Sequence, residues 1–132
     1  PLYADITQPM PHILGQFDAV ISCVASRSGS REDAWAIDHA AQMNILDVAQ
    51  RLGVKQFILL SAICVQNPKL PFQFAKLAFE DALIASGLTY SIVRPTAFFK
   101  SLSGQIPRLR DGKAFLVFGN GELTACKPIR SE

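Results

Sequence analysis

Residues Gln56–Glu80, QFILLSAICVQNPKLPFQFAKLAFE, contain the pattern that decides the fold. The segment opens with an uninterrupted apolar run, Phe57 to Leu60, which is typical of a parallel-sheet strand that is buried on both faces. Ser61 follows the run directly. After a loop, Pro71 occupies a position that suits the first turn of a helix. We therefore predict a strand, a polar strand end and then a helix.

Lys76 interrupts the apolar stripe of this predicted helix. It lies four residues after Phe72, three before Phe79 and seven before Leu83, so all four share one helical face. One interpretation is that the methylenes of Lys76 pack while its ammonium reaches solvent. The other is that the ammonium points into a ligand-binding crevice. Ser61 has the same two interpretations, a hydrogen-bonded strand end or a polar group that faces the crevice.

The alternation of apolar strands and amphipathic helices extends on both sides of this segment. Predicted strands are Leu2–Ile6, Ala19–Val24, Gln56–Leu60, Leu88–Val93, Ala114–Phe118 and, briefly, Leu123–Cys126. Predicted helices are a short one around Met10–Leu14, one over Ala34–Leu52 between Asp33 and Gly53, one over Pro71–Ser86 before Gly87, and a short one within Phe98–Arg110 that Pro107 interrupts. This order predicts an α/β fold, part of a Rossmann-type doubly wound parallel sheet with right-handed crossovers.

Doubly wound sheets bind ligands at the carboxyl ends of their strands. In this chain the predicted strands end at Asp5 and Ile6, at Cys23 to Ser26, at Ser61 to Cys64, and at Arg94 to Thr96. We expect these four places to meet near the first half of the helix that carries Lys76. Arg94-Pro95-Thr96 is either a turn with a surface arginine or a strand exit that Pro95 fixes over a planar ligand.

Composition limits the classes of function. The chain has 132 residues, is 49% hydrophobic and 18% charged, and has no apolar run of membrane-spanning length. Its three cysteines lack metal-ligand spacing, and its two histidines lie far apart, so we predict free thiols and no metal site. Nucleic-acid binding is not expected, because basic residues form no run interleaved with aromatic residues.

Charge is divided unevenly along the chain. Residues 1–66 contain four Lys and Arg against six Asp and Glu, whereas residues 67–132 contain nine against five. The basic excess is either a solvated surface or an electropositive cleft for an anionic small molecule. No glycine-rich phosphate loop is present, since Gly119-Asn120-Gly121 is only a turn.

The motifs together resemble the short-chain dehydrogenase/reductase superfamily, and in particular its atypical, NmrA-like branch. The resemblance rests on the strand-end Ser61, on Phe72-x-x-x-Lys76 and on Arg94-Pro95-Thr96. The runs LLSAICVQNP, FQFAKLAFE, YSIVRPTAFFKSL and ACKPI are similar to those of the divinyl chlorophyllide a 8-vinyl reductase family. This likeness covers essentially the whole chain and is densest from Phe57 to Pro128.

The resemblance implies a function and a set of site residues. It implies that NADPH reduces the 8-vinyl group of a divinyl chlorophyllide in chlorophyll biosynthesis, in the plastid stroma or in a photosynthetic bacterial cytoplasm, with peripheral membrane contact left open. It implies that Lys76 is catalytic and binds the nicotinamide ribose. The other cofactor-binding residues that it implies are Asp5 near the adenine, Cys23, Val24 and Ala25 along the cofactor, Ser61, Ala62 and Ile63 beside the nicotinamide, and Pro95, Thr96, Ala97 and Phe98 over its carboxamide.

The chain departs from the family pattern in three respects. Phe72 replaces the usual tyrosine, and the glycine-rich turn is expected before Leu2. Arg130 interrupts an expected Lys-Pro-Ile-Ser-Glu. We therefore expect residues 1–132 to be an internal portion of one NAD(P)-binding domain, with a substrate region that starts at about residue 98 and ends incomplete. Alternatives are an NmrA-like NADP(H)-binding regulator, an isoflavone-reductase-like enzyme for another planar conjugated substrate, and a structural subunit without cofactor.

Overall fold

The computed structural model describes residues 3–11, 13, 15–98 and 103–116. The chain divides into two compact units, Pro1–Arg94 and Pro95–Glu132. The first unit contains all of the sheet and the long helices. In the second unit, the described residues include one short helix, α4 (Gln105–Arg110).

The first unit is built on a parallel sheet of three strands in the order β1 (Ala19–Ser22), β2 (Gln56–Leu60) and β3 (Thr89–Val93). In the register, Ile58 lies beside Ile21 on one side and Ser91 on the other. A long helical segment joins β1 to β2, and helix α3 (Pro71–Ala85) joins β2 to β3. The predicted α/β class with parallel strands and intervening helices is confirmed.

The long helical segment is not a uniform α-helix. It consists of α1 (Arg31–Asp33), a π-helical stretch (Ala34–Ala41) and α2 (Gln42–Arg51). It therefore begins three residues before the predicted start at Ala34. Ser30 caps it, since the Ser30 hydroxyl accepts the backbone N–H of Asp33 at 3.1 Å. Runs of π-helix are rare and are found most often at functional sites.

The predicted cap residue Asp33 stabilises the preceding loop instead. Its carboxylate accepts the backbone N–H and the hydroxyl of Ser28, both at 2.8 Å, and the backbone N–H of Arg27 at 2.9 Å. The hydrogen bond from the Ser28 backbone is the largest cause that lowers the pKa of Asp33. The loop that follows β1 is thus held against the start of the helix.

The hydrophobic core lies between the sheet and one layer of helices. Phe57 and Leu59 of β2 face this layer, and the Phe57 ring packs at a tilt against Phe79 with 6.0 Å between ring centroids. The buried cluster is completed by Leu46, Ala49, Val54 and Leu83. Truncation of a buried phenylalanine costs about 3–5 kcal/mol, so this contact between β2 and α3 is a principal source of stability.

The other face of the sheet is open in the described residues. Ile21 is 69% exposed and Val93 is 49% exposed. In β2, Phe57 and Leu59 are buried whereas Ile58 and Leu60 are half-buried, so the prediction that this strand is buried on both faces is not met in the described part of the chain. Both crossovers run in the same direction along the strand order, and right-handed crossovers place both connecting helices on the same side of the sheet.

Several short predicted elements are absent from the described residues. Residues 3–6 form no strand, Met10 and Ile13 belong to a single turn, and residues 114–116 form no strand. Helix α4 contains Pro107 in its first turn, where a missing N–H is tolerated, so the proline does not interrupt it. Leu123–Cys126 and Phe118 lie outside the described residues.

Side chains of the long helical segment form hydrogen bonds with backbone carbonyls of the N-terminal residues. The Asn44 amide donates to the Ile6 carbonyl at 2.9 Å. Arg51 donates to the carbonyls of Met10 and Ile13 at 2.9 and 3.2 Å. Within the described ranges, no helix is both long and apolar enough to cross a membrane.

Gly87 follows α3 with φ of +79°, the left-handed conformation expected of the glycine that ends a helix. A Cβ at this position would meet no atom within 4 Å, so the cost of a substitution comes from the backbone alone. We expect Gly87→Ala to lower the free energy of unfolding by about 1 kcal/mol, since L-residues disfavour this conformation. Urea denaturation would measure the change. Gly87→Asn should lose less, and equal losses would contradict the backbone explanation.

Candidate functional site

Lys76 forms a buried ion pair with Asp38. Its ammonium lies 3.0 Å from Asp38 Oδ1, and the side chains of Lys76 and Asp38 are 8% and 0% exposed. The same ammonium donates to the Val24 carbonyl at 3.4 Å. The ion pair therefore links α3 to the π-helical stretch, and the second bond reaches the loop that follows β1.

The structure excludes the interpretation that the Lys76 ammonium reaches solvent. An ammonium that extends to the surface would not be 8% exposed or bonded to a buried carboxylate. Lys76 has three N–H donors, and among the described residues it contacts two acceptors, Asp38 and Val24. A ligand oxygen could be a third acceptor, and binding of the nicotinamide ribose by Lys76 stays a prediction.

Asp38 is the functional candidate that the sequence reasoning missed. It lies within the π-helical stretch, and its second oxygen accepts the Ser26 hydroxyl at 2.5 Å. The backbone N–H of Ser26 adds a longer bond of 3.3 Å. The sequence does place Asp38 four positions after Ala34 and three before Ala41, so the three share one helical face. In the structure both alanines are fully buried, and the carboxylate is buried with them.

A second set of buried polar groups follows β1 and β2. The Ser22 hydroxyl donates to Gln42 Oε1 at 2.7 Å, and the backbone N–H of Ser61 donates to the Val93 carbonyl at 2.8 Å. The Ser61 hydroxyl and the Gln42 amide nitrogen are buried without a hydrogen-bond partner among the described residues. Buried polar atoms normally have partners, so these two are candidates for bonds to a ligand or water.

These groups fit a nicotinamide cofactor in the part of the site that the described residues form. Within the described residues the Ser61 hydroxyl has no hydrogen-bond partner, and Lys76 offers a buried ammonium; these groups suit the hydroxyl and amide groups of a ribose and a carboxamide. Ser61 follows the carboxyl end of β2, and Lys76 lies in the first half of α3, the next helix, as expected for a ligand site in this class of fold. The contacts themselves are not shown, so the assignments to Ser61 and Lys76 stay predictions.

Arg94 is paired with a second buried carboxylate on α3. Its guanidinium donates through Nε to Glu80 Oε1 at 3.2 Å and through a terminal nitrogen to the other oxygen. Glu80 is 1% exposed, and hydrogen bonding to it is the main cause that raises the pKa of Arg94. Arg94 is thus not a surface arginine without a partner, because it pairs with Glu80 at the end of β3. The sequence did not indicate Glu80 as this partner.

The remaining predicted site residues differ in what the structure shows. Cys23 and Ala25 are exposed beside the half-buried Val24, and Ala62 is half-buried next to Ile63, which is 47% exposed. All five lie at the carboxyl ends of β1 and β2, near the sheet edge that carries the polar groups.

Asp5, the predicted adenine-side residue, forms hydrogen bonds with its neighbour Thr7. The Asp5 carboxylate accepts the Thr7 hydroxyl at 2.7 Å and the Thr7 backbone N–H at 2.9 Å, and these two bonds lower its pKa in that order. The predicted carboxamide cover belongs to the second compact unit, so its placement stays a prediction; its residues are Pro95, Thr96, Ala97 and Phe98.

Comparison with known proteins identifies the family. A family model described as NAD(P)H-binding matches residues 4–120. The chain belongs to this NAD(P)H-binding family. The predicted Rossmann-like fold and nicotinamide cofactor are thereby confirmed at the level of the family. Asp38, Ser61 and Lys76 all fall within the matched residues.

Individual relatives agree with this assignment. The chain is 54% identical over 121 residues to divinyl chlorophyllide a 8-vinyl-reductase from Arabidopsis thaliana, and the match covers 87% of this chain and 29% of that protein. For the reductase of the same name from Zea mays, identity is 46% over 143 residues, with coverage of 99% and 35%. The resemblance predicted from the sequence is confirmed. The chain spans about a third of these relatives.

A solved structure supports the fold alone. UDP-glucuronic acid 4-epimerase from Bacillus cereus, solved in complex with NAD, superposes with a TM-score of 0.65 at 14% sequence identity. The match covers 89% of this chain and 45% of that one. The two proteins therefore share the parallel-sheet framework that supports the buried ion pair here.

We expect Asp38→Asn to lower the free energy of unfolding by about 3–5 kcal/mol, because Lys76 would remain buried without a countercharge. Urea denaturation followed by circular dichroism would measure the change. Asp18→Asn is the matched control, since it breaks the Lys55–Asp18 pair at 2.8 Å, whose side chains are 80% and 87% exposed. That pair should be worth about 0–1 kcal/mol. Equal losses in the two variants would contradict a special role for the buried pair.

Proposed function

We propose that residues 1–132 are an internal portion of a single NAD(P)-binding domain in an NADPH-dependent reductase. The proposed reaction reduces the 8-vinyl group of a divinyl chlorophyllide to ethyl. The observation that carries the proposal is the 46–54% identity to reductases named for this substrate, which extends over at least 87% of the chain. The proposed substrate region starts at about residue 98.

The location and partners of the protein follow from the same relatives. They are named as chloroplastic, so we propose a plastid location for this chain. The proposed partner is the chlorophyllide itself, a small molecule. The open face of the sheet, which includes Ile21 and Val93, supports the proposal that further parts of a larger domain cover it.

The proposed reaction adds two hydrogens across a carbon–carbon double bond. When bound, NADPH supplies a hydride to the vinyl group and becomes NADP⁺. A proton must reach the other carbon to complete the ethyl group. Phe72 has no ionisable group, so it cannot donate this proton in place of the usual tyrosine. Conjugation with the macrocycle lets the negative charge spread until water or another residue supplies the proton.

The side chains of this site supply position and charge. Asp38 holds the Lys76 ammonium at a fixed point, and Ser26 fixes the Asp38 carboxylate from its other side. Lys76 would then present its remaining N–H to a ribose hydroxyl without having to be ordered on binding. Preorganised donors of this kind lower the cost of bringing the reacting groups together.

The activity can be tested directly on the full-length protein. We expect NADPH and divinyl chlorophyllide a to give a blue shift of the Soret band, with one NADPH oxidised for each vinyl group reduced. Binding of NADPH without any spectral shift would instead indicate a regulator. Absence of both binding and shift would indicate a structural subunit. Activity only on other planar conjugated substrates would indicate an isoflavone-reductase-like enzyme.

The role of Lys76 can be separated from its contribution to stability. The double variant Lys76→Met/Asp38→Asn removes both buried charges together, which is far less disruptive than removing one. We expect its KM for NADPH to rise about tenfold, the effect of losing one charge-assisted hydrogen bond, and its kcat to fall. Steady-state kinetics would measure both, with unfolding curves as a check. Unchanged kinetics in a folded double variant would show that the ion pair is only structural.

A further inference from the structure

An open cleft lies between the start of the long helical segment and the start of α3. Its volume is about 330 Å³, and it is lined by Arg31, Trp35, Lys69, Pro71 and Phe74. Each of these residues lies in the loop or the first turns of the helical segment that follows a strand, either β1 or β2. The cleft is therefore at the sheet edge where ligands bind in this class of fold.

The walls of the cleft combine flat apolar surface with positive charge. Trp35 and Phe74 are 37% and 49% exposed, so their rings offer uncovered surface. Within the described part of the chain, neither Arg31 nor Lys69 has an ion-pair or side-chain hydrogen-bond partner. Among the described residues that line the cleft there is no carboxylate. Such a site suits a planar conjugated molecule that carries an acidic group.

The local structure holds these walls in place. The Trp35 ring packs at a tilt against His39, with 5.3 Å between ring centroids. The Gln73 side chain accepts the backbone N–H groups of Lys69 and Leu70 at 2.8 and 3.0 Å, which fixes the turn that presents Lys69. A second cavity of about 570 Å³ shares Lys69 and continues past Leu70 and Cys64. Because the cleft and this second cavity both border Lys69, a large ring system bound in the cleft could extend into the second cavity.

We propose that this cleft binds the free carboxylate and one edge of the macrocycle of the chlorophyllide substrate. Arg31 and Lys69 would pair with the carboxylate while Trp35 and Phe74 pack against the conjugated ring. This inference rests on the proposed function and adds to it a physical reason for selecting the acid over its ester. Lys69 thus gives part of the basic excess of residues 67–132 a specific role, and Arg31 adds a second positive charge from residues 1–66.

Binding measurements on the full-length protein test the proposal without requiring turnover. The probes are divinyl chlorophyllide a, with its free carboxylate, and the methyl ester of the same pigment. Trp35 is the only tryptophan in residues 1–132, and the part of the quenching that is lost in Trp35→Phe reports contact with this cleft. We expect quenching by both pigments in the parent protein, and tighter binding of the acid.

The decisive variant is Arg31→Gln/Lys69→Gln. We expect its Kd for the acid to rise about tenfold or more, the effect of losing charge-assisted hydrogen bonds, and its Kd for the ester to change less than about twofold. The control Lys55→Gln removes a charge at a different exposed ion pair and should leave both affinities unchanged. Both Gln substitutions are at exposed positions, so folding should be retained.

The outcomes separate this proposal from the proposed reaction. If acid and ester weaken equally, or if neither weakens, the carboxylate contact is wrong even when the enzyme is active. Acid selectivity that depends on Arg31 and Lys69 in a protein without reductase activity would keep the subsite and overturn the reaction. A change from dimer to monomer in the double variant, seen by analytical ultracentrifugation with pigment affinity unchanged, would show that the cleft is a contact between copies.

Discussion

The structure depends on the burial of one ion pair, Lys76 with Asp38. Both charges are removed from water, so each is tolerated only because the other is 3.0 Å away. The pair connects α3 with the π-helical stretch, and hydrogen bonds to Val24 and Ser26 extend this connection to the loop after β1. The sheet edge where a ligand would bind is thus fixed by a charged contact beside the hydrophobic core.

Helix α3 carries a second buried charge one turn further on. Glu80 pairs with Arg94 at the end of β3, whereas Lys76 reaches toward the end of β1. Apolar residues of similar volume would stabilise a fold at least as well as buried ion pairs do. The buried pair of Lys76 with Asp38, and the buried Glu80 beside a partly exposed Arg94, are therefore better explained by the need to fix polar groups in place than by stability. Ser61, which directly follows β2, adds a buried hydroxyl that has no hydrogen-bond partner among the described residues.

The described residues divide the functional groups between an inner and an outer set. The inner set, formed by Asp38, Ser61 and Lys76, is almost fully buried and suits hydrogen bonding to a nicotinamide cofactor. The outer set is the cleft with Arg31, Lys69 and exposed aromatic rings, which suits a larger, anionic and planar molecule. Since the position of the usual proton donor is occupied by Phe72, such a site would act by orientation and electrostatics.

The sequence alone determined the order of strands and helices, because alternating apolar runs and helical stripes follow from local periodicity. It also singled out Lys76, since a charge on an apolar stripe is visible without a structure. The short N-terminal strand and helix that it predicted are absent from the described residues 3–11 and 13, because segments of that length depend on neighbours for their conformation. The tertiary structure decided the partners: Asp38 is 38 residues from Lys76 in the chain, and no local pattern indicates which carboxylate it meets. Only packing of the two helices on one side of the sheet brings those charges together.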